Sequence, residues 1–518
     1  MSYSREKLNL GGTWLLATDP EDCGIRDGWY ERFPEDRAMP VTVPAVWDLH
    51  IPDYDGVGWY RHMFELDASW LDSHLEVRFA GVNYFAEAWL NGQPVGFHEG
   101  GYTPFALDLD GRARAGGNEL VVRVIDPKGP EGFGIFKPKE LPIAKETGYW
   151  SFGGIWGEVW LARLPHARLT DVFIQPDLRR KRVVADVYVS GCPDGAEVQL
   201  RVEDTDYAAS GRPGRMLVDM EHFDTWSHEH PVLYRMSAVL RLGNEILDRI
   251  TLPFGMREFG VKDNRFHLNH RPIFLRGALY QPDYARSLAA PESEAAARHE
   301  IESAKAAGFN LLRLHIRPAP EILLKLADEI GMLLYAEPSI GWIKSSEFMK
   351  ARCEQSVREM ILRDRNHPSV VIWGMLNETG NADYVTHGGA QEIKDDLCLL
   401  ARGLDPTRVI IDDSAGVNAT REPSRLIRPY RDVFEEFDDL HIYQRAPVDN
   451  LIRAYYANNG EPGQLALISE FGFGGPEDLP EVLDRYGEDR ERLKDARFLK
   501  QMLDAILPGF EERGLDKM

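Results

Sequence analysis

The sequence predicts a multidomain β and α/β protein: two β-sandwiches, then an α/β barrel that lacks its eighth strand and helix. Three observations predict it. Up to about residue 257, short runs alternate apolar and polar residues at period two between turn signals. From about residue 258, continuous apolar strands alternate with apolar-striped helices, the pattern of a parallel sheet covered on both faces. Seven strands fit before residue 518, and a closed barrel needs an eighth.

The 518 residues suit three or four domains at about 100–200 residues each. Apolar residues at 43% and charged residues at 28% are ordinary globular usage, which excludes disorder, collagen and coiled coil. With 60 Lys+Arg against 83 Asp+Glu the net charge is −23, so nucleic acid, which needs a cationic surface, is not an expected partner. Cys23, Cys192, Cys353 and Cys398 lie far apart without C-x-x-C spacing, and read as reduced thiols rather than a disulfide or zinc framework. No apolar stretch resembles a secretory signal or reaches the ~18 residues of a membrane span. A cytoplasmic location with no membrane partner is therefore expected.

The elements follow in order. Residues 1–165 carry the alternating runs Leu75–Phe79, Ala86–Leu90 and Glu119–Val124, separated by Asn91-Gly92, Ala115-Gly116-Gly117-Asn118 and Asp126-Pro127. They form the first sandwich. Residues 166–257 hold Val183–Val189, Val198–Val202, Ser237–Leu242 and Ile246–Leu252, and short strands over about 90 residues fit an immunoglobulin-like sandwich. Residues 258–518 form the TIM-type unit. The apolar run Ile273-Phe274-Leu275 opens it, and a helix with Ala297, Ile301, Ala304 and Gly308 on one face follows. Asn310–Leu314 is strand two; Ile322, Leu323, Leu326, Ala327 and Ile330 stripe a helix that Gly331 caps. Met332–Tyr335 is strand three, before a helix striped by Met349, Cys353, Val357 and Met360. Val370–Trp373 is strand four, Val409–Ile411 strand five, Leu440–Tyr443 strand six and Leu465–Ile468 strand seven. Helices are expected at Ile393–Leu400, near Leu451–Tyr456 and at Leu499–Ile506.

In such a barrel, chemistry sits at the C-terminal ends of the strands. Strand four runs into Asn377-Glu378, and strand seven into Ser469-Glu470. Two carboxylates facing each other across a barrel mouth are what glycosidic hydrolysis requires: one protonates the leaving oxygen, the other attacks the anomeric carbon or activates water. The competing reading pairs each glutamate with a nearby arginine in a structural ion pair.

The chain resembles glycoside hydrolase family 2, whose members include β-galactosidases, β-glucuronidases and β-mannosidases. Arg365-Asn366-His367-Pro368-Ser369 through Asn377-Glu378 is similar to the family's acid/base signature, and Ile468-Ser469-Glu470-Phe471-Gly472 to its nucleophile segment. Trp89–Gly96 with Gly100–Phe105, and Gly153–Trp156, are similar to its jelly-roll, sugar-binding-like domain; Phe254–Arg257 and Leu268–Gly277 are similar to the entry to its barrel. The resemblance implies a retaining exo-β-glycosidase that hydrolyses β-galactoside- or β-glucuronide-like carbohydrates through a covalent intermediate, with Glu378 as acid/base and Glu470 as nucleophile. It implies that Asn377 bonds the sugar 2-OH and that Tyr443 orients the nucleophile. Arg313 is expected to hold a carboxylate, and Trp342 to wall the sugar. His315 and His441 read as core histidines.

Two departures from the family pattern matter. After Arg276-Gly277 the galactosidase and glucuronidase members usually carry Asn, then His-Glu; this chain has Ala278–Tyr284, where Asp283 is the remaining candidate for sugar recognition. The galactosidase magnesium site uses a Glu and a His just after strand three, where this chain has Gly341 and Ile343, so no metal and no other cofactor is expected. The absent eighth strand has three explanations: an incomplete sequence, which is preferred, a segment supplied by a second copy in a homo-oligomer, or a degenerate barrel. The alternatives to the galactosidase or glucuronidase reading are a β-mannosidase or other sugar specificity, and a non-catalytic carbohydrate-binding or scaffold protein.

Overall fold

The computed structural model describes residues 5–52, 54–127, 133–136, 140–142, 152–282, 284, 286–341, 347–378, 389–414, 437–442, 450, 453 and 465–471. In the N-terminal sandwich, a six-stranded antiparallel sheet runs Met39–Val43, Gly12–Thr18, Gly56–Leu66, Gly116–Asp126, Phe85–Leu90, Gln93–Glu99. A four-stranded sheet runs Glu6–Asn9, Val159–Leu164, His74–Phe79, Phe105–Asp108. Leu16, Tyr60, Val122 and Val124 of the first sheet share one core with Val77, Phe79, Val159 and Leu161 of the second. The period-two alternation read from the sequence is what puts those side chains on the inner faces. Asn91 and Gly92, at φ 53° and 78°, make the tight hairpin turn that this dipeptide favours.

The second sandwich pairs a three-stranded sheet (Arg168–Asp177, Arg182–Ser190, Gly214–Asp219) with a four-stranded one (Ala208–Gly211, Glu197–Val202, Tyr234–Leu242, Glu245–Phe254). Val172, Val183 and Val218 meet Val198, Leu200 and Leu240 in its core.

The α/β region follows. Gly277–Tyr280, Leu311–Leu314, Leu333–Ala336, Val370–Asn377 and Val409–Ser414 form a parallel sheet in sequence order, and Phe437–Ile442 pairs in parallel with Leu465–Phe471. All eight residues of Val370–Asn377 are buried, as expected of a strand covered on both faces. Helices Glu294–Ala306, Glu321–Ile330, Glu347–Asp364 and Gly389–Leu404 cover the sheet. Of the predicted stripes, Leu323, Leu326, Ala327 and Met349, Cys353, Val357, Met360 are fully buried, while Ile322 and Ile330 pack half-buried against the same core. Gly331 ends its helix at φ 81°, and a Cβ there would lie 2.6 Å from the His228 carbonyl oxygen. Of the helix predicted near 451–456 only Arg453 is described, in helical conformation, and the helix predicted at 499–506 lies outside the described residues. Among the described residues no helix is long and apolar enough to cross a membrane.

The opening of the barrel differs from expectation. The apolar run Ile273-Phe274-Leu275 is not the first parallel strand, which begins at Gly277. Ile273 and Leu275 turn inward against the lower core, while Phe274 between them is 80% exposed. They follow a small antiparallel sheet, Phe259–Lys262, Arg265–Leu268 and Arg271–Pro272. Its Phe259, Phe266 and Leu268, with Trp226 from the second sandwich, pack onto Leu311, Leu333, Val371, Ile372, Val409 and Ile411. The sheet's lower interior is thus closed by side chains from outside it, each large apolar group contributing about 1.5–3 kcal/mol on burial.

Candidate active site

Parallel strands all end at one rim, so polar side chains at their C-terminal ends converge. Arg313 lies on Leu311–Leu314 with His315 just after it, and Glu337 follows Leu333–Ala336. Asn377 ends Val370–Asn377 and Glu378 comes next, in the left-handed region at φ 52° with its N–H donated to the Ser414 carbonyl at 2.8 Å. His441 of Phe437–Ile442 stands opposite Glu470 of Leu465–Phe471 in the parallel register.

Arg313 is the centre of this cluster. Its Nε and Nη2 donate to the two oxygens of Glu337 at 3.1 and 2.9 Å, its Nη1 to Glu470 Oε1 at 2.8 Å, and its Nη2 also to Asn377 Oδ1 at 2.6 Å. A guanidinium only donates, so the Asn377 atom that meets it is the oxygen. The Asn377 Nδ2 is then left as a buried donor without a partner among the described residues. Gly374 makes room for the arrangement, because a Cβ there would lie 2.5 Å from Tyr335 Cε2 and 2.8 Å from Glu337 Cγ. Burial pushes Glu337 up to about 7 against the opposing pull of Arg313. Burial, with the charges of Arg313 and His441 adding to it, holds His315 well below the ordinary histidine range. His315 is therefore neutral, with Nε2 3.3 Å from Glu470 Oε1.

His441 spans the two glutamates. Its Nδ1 lies 2.7 Å from Glu378 Oε1 and its Nε2 3.6 Å from Glu470 Oε1. Beneath it, Asp439 Oδ2 accepts from the hydroxyls of Ser414 and Ser469 at 2.8 and 2.7 Å. Both hydroxyls also reach His441 Nε2, at 3.0 and 2.8 Å, and the Arg313 Nη1 donor faces the same nitrogen at 3.4 Å. The short Nδ1–Glu378 contact needs a proton, on the carboxyl or on the ring. Glu378 and His441 hold that proton between them.

The structure brings together Glu378, Glu470, Asn377 and Arg313. A ligand atom from each of Glu378, His441 and Glu470 lies within 4.8 Å of the others. Glu378 is the more open of the two glutamates, with 19% of its side chain exposed against 6% for Glu470. Asp283, Trp342 and Tyr443 lie outside the described residues. Two groups among the described residues have metal-ligand spacing: this one, and His74, Asp108 and Asp110 on the first sandwich. In the second, His74 already bridges Asp110 and Glu76 at 2.6 and 2.9 Å. A galactosidase-type magnesium site does not fit: Gly341 offers no side chain, and a Cβ there would lie 2.6 Å from Ile316 Cδ1.

Sequence reasoning passed over Glu337 and set His441 and His315 aside as core residues. A signal for them existed. Arg313 and His315, Tyr335 and Glu337, and Asp439 and His441 are polar pairs spaced by two in apolar strands, hence on one face. Much of the Arg365–Ser369 signature has a structural part. Asn366 accepts from the Ile174 N–H at 2.9 Å and donates to the Val172 carbonyl at 2.8 Å, pairing like a strand residue with Arg168–Asp177. His367 Nδ1 meets Asp328 Oδ2 at 2.6 Å. These contacts fix the second sandwich and the helix layer to the base of strand four, which ends at Glu378.

Two sandwiches and a barrel whose mouth gathers two carboxylates around an arginine define a protein of the glycoside hydrolase class. Three family models match in succession: the glycosyl hydrolases family 2 sugar-binding domain over residues 6–165, glycosyl hydrolases family 2 over 167–257, and its TIM barrel domain over 259–474. The chain belongs to glycoside hydrolase family 2. It is 30% identical over 402 residues to a β-galactosidase of Thermoanaerobacter pseudethanolicus, covering 72% of this chain and 52% of that protein. To a β-glucuronidase of Paenibacillus borealis it is 24% identical, covering 79% and 73%. The chain spans about half the length of several of the curated relatives it matches. The crystal structure of Ruminococcus gnavus β-glucuronidase shares the fold at TM-score 0.76 and 22% identity, covering 96% of this chain and 90% of that one.

Proposed function

We propose that this protein is a retaining exo-β-glycosidase acting in the cytoplasm on β-galactoside- or β-glucuronide-like carbohydrates, and that its chain divides at about residues 165 and 257 into two accessory sandwiches and a catalytic barrel. The observation that carries the reading is the spacing of Glu378 and Glu470, with an oxygen of each within 4.8 Å of the other. Retention needs carboxyls about 5–5.5 Å apart, whereas inversion leaves about 6.5–9.5 Å for a water.

Glu470, which accepts from Arg313 Nη1 at 2.8 Å, attacks the anomeric carbon. The bond to the leaving oxygen breaks with its electron pair, and that oxygen takes the proton of Glu378. Water then gives a proton to Glu378 and its oxygen to the anomeric carbon, and the electron pair of the ester bond returns to Glu470. In this reading Asn377 Nδ2, a buried donor without a partner among the described residues, donates to the sugar 2-OH. Asp283, Trp342 and Tyr443 are proposed to add sugar recognition.

The test is a panel of chromogenic β-galactoside, β-glucuronide and β-mannoside substrates. Replacing Glu470 by Gln is expected to abolish turnover, and azide to rescue Glu378→Ala on an activated substrate. Turnover of the mannoside alone would establish the other sugar specificity. Binding without turnover on every substrate would establish a carbohydrate-binding protein instead.

A further inference from the structure

Arg313 carries one positive charge and meets two carboxylates. All three side chains are nearly sealed from water, with 3% of Arg313, 1% of Glu337 and 6% of Glu470 exposed. The two contacts differ in kind. Glu337 takes Nε and Nη2 with both oxygens, the bidentate fork that fixes a guanidinium in one plane, while Glu470 takes Nη1 with one oxygen. The proposed reaction treats the two carboxylates unequally. When Glu470 becomes a glycosyl ester it loses its charge, and Glu337 does not take part in bond making.

A buried guanidinium that loses its only counter-charge is strongly disfavoured. If Glu470 were that only counter-charge, every glycosylation would leave Arg313 bare. The ion pair would hold Glu470 as a carboxylate and blunt its attack. We propose that Glu337 is the standing counter-ion of Arg313, a positioning residue that keeps the guanidinium neutralised while Glu470 carries the sugar. The proposal rests on Glu470 being the nucleophile. Glu337 also holds the plane of Arg313, and through it the Asn377 amide, with Nδ2 free to donate. Gly374 is consistent with the assignment, since strand four gives up a side chain where the Tyr335 ring and Glu337 pass.

The two half-reactions should respond in opposite senses when this charge is removed. Glycosylation consumes the Glu470 charge and should slow. Deglycosylation restores it and should hold its rate or quicken. A loss of packing alone would slow both.

The experiment uses the full chain and dinitrophenyl β-galactoside and β-glucuronide fluorinated beside the anomeric carbon, which label a retaining nucleophile and release slowly. Covalent labelling of Glu470 is followed by intact mass, and release by recovery of activity with an added acceptor sugar. Glu337→Gln is expected to label at least about tenfold more slowly than wild type, with release unchanged or faster. Glu337→Asp, which keeps the charge, is expected to recover labelling. Equal labelling rates in wild type and the Gln variant would overturn the proposal. So would a parallel fall in both steps, or an Asp variant no better than Gln at equal thermal stability. A wild-type chain that takes its label elsewhere, or takes none, would instead overturn the assignment of Glu470, and the proposal with it.

Discussion

His441 Nδ1 lies 2.7 Å from Glu378 Oε1, the shortest link between the imidazole and either glutamate. A ring nitrogen and a carboxyl oxygen this close hold a proton between them, so the ring shares a proton with Glu378. Replacing His441 by Ala should therefore weaken acid catalysis more than nucleophilic attack. Turnover of alkyl glycosides, which need a proton on the leaving oxygen, is expected to fall about 100-fold, against less than about tenfold for dinitrophenyl glycosides. A steeper dependence of kcat/KM on leaving-group pKa is the measurement. An equal loss on both substrates would show that His441 serves packing alone.

Asn377 offers one buried donor that has no partner among the described residues. Its Oδ1 is tied to Arg313 at 2.6 Å, so the amide cannot rotate without losing that bond. Asn377→Ala should lower kcat/KM roughly 10- to 100-fold on a substrate bearing a 2-OH, the worth of one well-placed hydrogen bond. On the matching 2-deoxy substrate the variant and wild type should run within about threefold of each other.

Periodicity made the fold legible because each layer buries one face of its strands or helices. Val77 and Phe79 announce a sandwich, and Leu323, Leu326 and Ala327 a helix on a sheet. What periodicity hid was the closure of the sheet's lower interior. Phe259, Phe266 and Leu268 alternate like any hairpin, and nothing local says that they plug the end of a distant sheet. The same limit governed the site. Glu378 and Glu470 stand out because each follows an apolar run. His441 and Glu337 acquire meaning only when five strands bring them within reach of Arg313.

Asn366 tests the structural side of the acid/base signature. Its side chain satisfies the Ile174 N–H and the Val172 carbonyl of the second sandwich. Asn366→Ala leaves both backbone groups without that partner, and should cost about 2 kcal/mol in denaturant unfolding. Activity of the folded variant is expected to stay within about twofold of wild type. Loss of activity without loss of stability would contradict a latch.

His367 gives that latch a pH dependence. Burial alone would lower its pKa, but Asp328 at 2.6 Å outweighs burial and raises it above the ordinary 6.5. A raised histidine binds its proton more tightly folded than unfolded. Its contribution is thus full below about pH 6.5 and is lost as pH rises through the raised value. The unfolding free energy of wild type should fall across that window more than that of His367→Gln. Parallel curves would show that the pair does not stabilise the fold by its charge.

Glu337 should make activity and stability move in opposite directions. The groups facing it are Arg313, Tyr335, Glu470 and His441; burial outweighs the pull of Arg313 and pushes it from 4.5 up to about 7. Above pH 7 it is ionised and can neutralise Arg313. As pH falls below 7 it takes up a proton, the guanidinium is left to Glu470, and glycosylation should slow. An unfolded chain holds the same carboxyl ionised down to about 4.5, so between these values the folded state binds more protons. The contribution of this group to stability therefore rises as pH falls from 7 toward 4.5, by at most about 3 kcal/mol. Wild type is expected to lose kcat/KM while this component of its stability grows over that interval. Glu337→Gln carries no such proton: its acidic limb should move to lower pH, and its stability curve should lack the component. A Gln variant with the wild-type acidic limb would place the titration elsewhere in the cluster.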